Sequence, residues 1–115
     1  MGVLFIVIPE GISVEFGCCG TCGLPIINKS KVDFGSRIYY PNGEPATFGS
    51  DVVNVDYSAS VKTYLVTGLF YFSAVTCKRC NSKVGDFCAY ASEPSEKHKE
   101  GNFLLLMHRI KIQNY

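Results

Sequence analysis

Apolar and polar residues follow one another in short runs with a period near two, separated by turn-forming residues. That period places successive side chains on opposite faces of a strand. Val3–Ile8 is apolar and β-branched until Pro9-Glu10-Gly11 interrupts it, which predicts a buried strand. Ile12–Phe16 alternates, with Ile12, Val14 and Phe16 on one face. Arg37–Tyr40 predicts a strand ending in a tight turn at Pro41-Asn42-Gly43. Val52–Val55 predicts a short strand. Val61–Val66 and Leu69–Val75 predict two longer ones, interrupted by Thr67-Gly68, and Lys83–Ala91 another. Ser92–Asn102 is polar and holds Pro94 and Gly101, so it predicts a solvated loop or a single helical turn. Phe103–Ile112 predicts one final strand. No stretch has the pattern of an amphipathic helix and no internal repeat is visible. The expectation is one mainly β domain over residues 1–115.

Composition narrows the function. The chain has 115 residues, 47% hydrophobic and 18% charged, enough apolar material for a core. Eleven Lys and Arg stand against ten Asp and Glu. That balance disfavours nucleic acid as a partner, because phosphate-binding modules carry a surplus of positive charge. The longest apolar run, Val3–Ile8, falls far short of the roughly 20 residues of a membrane helix. It also lacks the basic leader and cleavage site of a secretory signal. A cytosolic or nuclear location is therefore expected, and in a reducing compartment paired cysteines serve as metal ligands more often than as disulfides.

The chemistry concentrates in six cysteines. Cys19-Gly20-Thr21-Cys22 and Cys77-Lys78-Arg79-Cys80 are two C-x2-C pairs separated by 54 residues. Each pair predicts a tight knuckle, with Gly20 or Gly23 easing the first and Asn81 in the left-handed region closing the second. Together they offer a tetrahedral four-sulfur shell suited to one structural Zn2+, with no position left open for a reacting water. Cys18-x3-Cys22 is an alternative first pair; Cys19 is preferred because it repeats the spacing of the second. Cys18 and Cys88 remain over and are expected to be small buried hydrophobes.

Several motifs resemble the Yippee-like family of small zinc-binding proteins. The resemblance runs nearly end to end, from Met1-Gly2-Val3-Leu4-Phe5-Ile6-Val7, which is similar to plant members, through both cysteine pairs. Val52-Val53-Asn54-Val55 resembles the family's VVNV. Thr67-Gly68-Leu69 resembles its TG-apolar step, and Ser95-Glu96-Lys97-His98-Lys99-Glu100-Gly101 its SQKYKEG tail. The resemblance implies a β-tent: two antiparallel sheets meeting near a zinc at one end. It also implies a non-catalytic protein-interaction module, nuclear or cytosolic, acting as an adaptor or subunit of a ubiquitin-ligase or cell-division-related assembly.

The departures shape the alternatives. Gly85-Asp86-Phe87-Cys88 stands where members have Gly-Trp-Lys-Tyr, and Phe70 where they have His. In cereblon-like cousins an aromatic cage binds an imide ring; Val66, Phe72 and Asp86 fall at its positions here, and the chain has no Trp. An intact three-Trp cage is excluded. Phe72 as wall and Asp86 as polar rim are the candidate partner-binding residues of a small-ligand or degron reader. A redox enzyme of the methionine sulfoxide reductase B type, a relative by fold, would need Cys88 as its nucleophile.

Overall fold

The structure, a computed structural model, describes residues 6–40 and 42–114. Among these, ten strands and three short 3-10 turns account for the regular structure. The strands are β1 (Glu15–Cys19), β2 (Pro25–Asn28), β3 (Val32–Tyr39), β4 (Pro45–Gly49), β5 (Val55–Tyr57), β6 (Val61–Leu65), β7 (Gly68–Cys77), β8 (Lys83–Ala91), β9 (Phe103–Leu106) and β10 (Ile110–Asn114). They form two antiparallel sheets. The small sheet has the order β10-β1-β2. The large one runs β3-β4-β9-β8-β7-β5, with β6 beside β5 on the same edge of β7. The mainly β, two-sheet fold expected from the sequence is what the chain forms.

The sheets are joined by two crossings of the same design. β2 leaves the small sheet, and the 3-10 turn Lys29–Lys31 delivers the chain to β3 in the large one. β9 leaves the large sheet, and the turn Met107–Arg109 delivers it to β10 in the small one. The single final strand expected over Phe103–Ile112 is thus two strands in different sheets. The pattern explains the break. Phe103–Leu106 is buried throughout, as a central strand covered on both faces must be, whereas β10 is an exposed edge.

Other expectations shift for physical reasons. β2 and β4 were not foreseen, and both begin with proline. Proline is tolerated at the first residue of a strand but argues against one in a pattern. The strand expected at Val3–Ile8 lies partly outside the described residues, and Ile6–Ile8 are exposed and unpaired with any described strand. Ile12 and Val14 are also exposed, so the buried face predicted for Ile12–Phe16 reduces to Phe16. The observed β5 starts where Val52–Val55 was expected to end.

Two buried asparagines explain these irregular stretches. Asn54 Nδ2 donates to the Val7 carbonyl (2.7 Å), and the Val7 N–H donates to Asn54 Oδ1 (2.8 Å). Asn28 Nδ2 donates to the Ser13 carbonyl (2.9 Å), and the Ser13 N–H donates to Asn28 Oδ1 (3.3 Å). In each case a side-chain amide stands in for the neighbouring strand, so the segment is held without being part of a ladder.

The main core lies between the sheets at the cysteine end. It contains Leu24, Ile26, Ile27, Val75, Val84, Phe103 and Leu105 together with Cys19 and Cys77. A smaller cluster of Phe70, Cys88 and Ala91, with Leu65 and Phe72 against it, fills the other end of the large sheet. The predicted turn after Tyr40 forms, with Gly43 N–H donating to the Tyr40 carbonyl (2.8 Å); Pro41 lies outside the described residues.

Candidate metal centre

β1 and β7 each end on a cysteine, and each is followed by a turn that brings a second cysteine back beside the first. In the first turn Gly23 N–H donates to the Cys19 carbonyl and Cys19 N–H to the Leu24 carbonyl, both at 2.8 Å. In the second, Asn81 N–H donates to the Cys77 carbonyl and Cys77 N–H to the Ser82 carbonyl, again at 2.8 Å. Gly23 (φ 79°) and Asn81 (φ 63°) occupy the left-handed region at equivalent places. The two knuckles are therefore the same structure built twice, one on each sheet.

They face each other. Cys19 Sγ lies 3.6 Å from Cys80 Sγ and Cys22 Sγ 3.4 Å from Cys77 Sγ, and all four sulfurs are within 4.8 Å of one another. A tetrahedral zinc with bonds near 2.3 Å needs sulfurs about 3.8 Å apart. The donor set and its spacing thus fit a single metal ion held by Cys19, Cys22, Cys77 and Cys80. Cys18 is not in the cluster: as the neighbour of Cys19 in a strand it faces the other way, and its thiol approaches the Phe16 carbonyl. Both Cys18 and Cys88 are fully buried.

The electrostatics suit thiolates on the outer side of the cluster. The Ser82 hydroxyl and backbone N–H hold Cys80 down at about 6. Burial pushes Cys22 up, but the Leu24 N–H and the Arg79 guanidinium outweigh it and leave its thiol below the ordinary value. Burial pushes Cys19 up, and Cys77 to about 12. A cation among the four sulfurs supplies what those two buried thiols lack. Arg79 Nη2 also donates to the Cys22 carbonyl (2.8 Å), and the Thr21 and Ser82 hydroxyl oxygens lie 3.1 Å apart, so each knuckle grips the other beyond its sulfurs.

Sequence reasoning did not find Asn54. It is buried, has φ 61°, donates to the Val7 and Pro25 carbonyls, and accepts the Lys78 N–H on its own carbonyl at 2.9 Å. One residue ties the N-terminal segment, β2 and the second knuckle together. The only sequence signal was its place in Val52-Val53-Asn54-Val55.

Phe72 and Asp86 are not part of the sulfur cluster: Phe72 lies on β7, five residues before Cys77, and Asp86 on the adjacent β8. Both line a groove of about 640 Å³ on the large sheet, with Val66, Phe70 and Leu104 among its other walls. Phe70 and Phe72 stack with centroids 5.4 Å apart. The Tyr40 hydroxyl donates to Asp86 Oδ2, and Lys83 Nζ lies 3.2 Å from Asp86 Oδ1. Burial, then Asp86, push the Tyr40 hydroxyl well above its ordinary value. Lys99 sits 5.4 Å over the Phe70 ring and pairs with Glu96 at 2.7 Å. The segment expected as a loop or single turn is the 3-10 turn Pro94–Lys99. It is pinned by Glu100, which accepts the Ala91 N–H and the Lys97 ammonium, each at 2.8 Å. Cys88 lies under this groove region; burial raises its thiol, the reverse of what a nucleophile needs.

Fold and cluster together define a two-sheet β domain with a four-cysteine site able to hold a metal. No family model matches the chain. It is 31% identical over 87 residues to protein yippee of Drosophila melanogaster, covering 76% of this chain and 70% of that one. It is 30% identical over 94 residues to protein yippee-like 3 of Bos taurus, covering 81% and 77%. A yippee-like protein of Arabidopsis thaliana matches at 29% over 110 residues, covering 96% and 87%. The crystal structure of the Mis18 "Yippee-like" domain superposes with a TM-score of 0.64 at 14% identity, over 88% of this chain and 96% of that one, a likeness of fold. The chain belongs to the Yippee family.

Proposed function

We propose that the chain is a zinc-stapled, non-catalytic protein-interaction module. The observation that supports this reading best is the closed four-sulfur cluster: with every coordination position taken by cysteine, the ion has no place for a water or substrate. Its work is then to hold two sheets in one arrangement that a partner protein recognises. The family resemblance suggests the setting, an adaptor or subunit role in a ubiquitin-ligase or cell-division-related assembly, in nucleus or cytoplasm. Affinity purification of the metal-loaded chain from nuclear and cytosolic extracts tests it. A recurrent, stoichiometric protein set lost on chelation is expected; turnover of a substrate by the purified chain, with no protein recovered, would contradict it.

A second reading draws on the groove. Phe72 and Asp86 share one hollow whose size lies within the ~300–1,000 Å³ of small-ligand sites. A thermal-shift screen of cyclic imides and nucleosides tests it: a shift abolished by Phe72→Ala supports a ligand or degron reader. The redox reading has less behind it, since Cys88 is fully buried with its thiol raised.

A further inference from the structure

The described strands that lie at sheet edges are not alike. β3 is interrupted by an irregularity in register between Asp33 and Arg37. β2 is covered by the segment after Val52, through Val53 N–H to the Ile26 carbonyl and Asn54 to the Pro25 carbonyl. β5 is three residues long and carries Asp56. These are the usual ways a sheet protects its edge from another chain. β6 has only one of them, the charge of Lys62. It runs Val61-Lys62-Thr63-Tyr64-Leu65 without proline or bulge, pairs in unbroken register with β7, and leaves Val61 and Tyr64 largely exposed (61% and 74%).

Its sequence is also complementary to itself. An antiparallel pair of β6 strands centred on Thr63 uses all five residues. It sets Val61 against Leu65, Lys62 against Tyr64 and Thr63 against Thr63. Val61, Thr63 and Leu65 line the groove on one face, so the apolar pairs fall on that side. On the other face each ammonium meets a tyrosine ring, a pairing already favoured within one strand, where Lys62 Nζ lies 5.9 Å from the Tyr64 centroid. Paired threonines and apolar–apolar pairs are favourable cross-strand neighbours, and no like charges are opposed. β10, whose far edge is also unpaired by any described strand, lacks this match. Centred on Ile112 it sets Ile110 against Asn114 and Lys111 against Gln113.

We propose that β6 is the interface through which two copies of this chain associate, as an antiparallel strand pair about a two-fold axis at Thr63. Such a contact is isologous and closes at two. It makes the two large sheets continuous and brings the grooves edge to edge. It is independent of whether the chain is an adaptor or a ligand reader.

Sedimentation velocity on the metal-loaded full chain, from about 1 µM to 1 mM, covers the affinities expected of a small contact. A reversible monomer–dimer equilibrium is expected. Tyr64→Lys, at a position exposed enough to leave the fold intact, sets Lys62 against a second lysine and should weaken the dimer by at least tenfold. Lys62→Glu combined with Tyr64→Lys should restore it, and an unchanged melting temperature shows that each variant is folded. A chain that stays monomeric to the highest concentration overturns the proposal. So does a dimer indifferent to Tyr64→Lys, or one that the double change does not restore.

Discussion

Asn54 and Cys77 show how much single residues carry here. Asn54 makes three side-chain hydrogen bonds to two distant segments from a left-handed backbone position. Asn54→Leu leaves the Val7 and Pro25 groups without those partners and puts a branched side chain at φ 61°. The combined cost should be about 3–5 kcal/mol, read as a lowered urea midpoint of the metal-loaded chain. Cys77→Ser is more severe. A structural zinc site contributes about 10–16 kcal/mol to folding, whereas a whole domain has a net stability of about 5–15 kcal/mol. Cys77→Ser should therefore give no cooperative melt at 25 °C; a soluble variant with a sharp transition would contradict this. The four cluster cysteines were legible in the sequence because a repeated short spacing survives any fold, and alternation along β1 decides between Cys18 and Cys19. Asn54 was not, because its partners lie 47 and 29 residues away in sequence.

At the scale of elements, legibility followed hydrophobic period. β6, β7 and β8 stand where Val61–Val66, Leu69–Val75 and Lys83–Ala91 predicted them, within about two residues. β2 and β4 were hidden by their leading prolines, and the break between β9 and β10 because the polar residues His108, Arg109 and Lys111 read as the alternation of one continuing strand. Gly85 has the least room for a side chain of the described glycines: a Cβ there would lie 2.2 Å from the Leu104 carbonyl oxygen where β8 and β9 pair. Gly85→Ala should cost about 3 kcal/mol or more, while Gly35→Ala, 3.4 Å from the nearest side-chain atom, should be nearly neutral. Chemical denaturation of the two variants separates these outcomes. The Pro94–Lys99 turn gives a pH signature. The Ala91 N–H, then the Lys97 ammonium, hold the Glu100 carboxyl below its ordinary value of 4.5. A carboxylate lowered in the folded state stabilises fully above its unfolded value and loses that contribution as pH falls through the folded one. The melting temperature lost in Glu100→Ala should therefore be constant above about pH 5.5 and shrink below 4.5; a gap that widens in acid would contradict it.

For the whole molecule, the cysteine cluster is the place where the two sheets are locked together. Cys19 and Cys22 come from the small sheet, Cys77 and Cys80 from the large one, and the main core packs directly beneath. The two 3-10 crossings connect the same two sheets covalently, but each is three residues long and buries nothing. Removing the ion should thus release the sheets rather than loosen one turn. The direct measurement is the metal content per chain of the purified protein, with thiols titrated before and after chelation. One zinc per chain is expected. Native protein should show almost no fast-reacting thiol, since four sulfurs hold metal and Cys18 and Cys88 are buried, and all six should react once the metal is withdrawn and the fold opens. No metal, prompt reaction of the half-buried Cys22 and Cys80, and a melt unchanged by chelator would contradict the account at its centre.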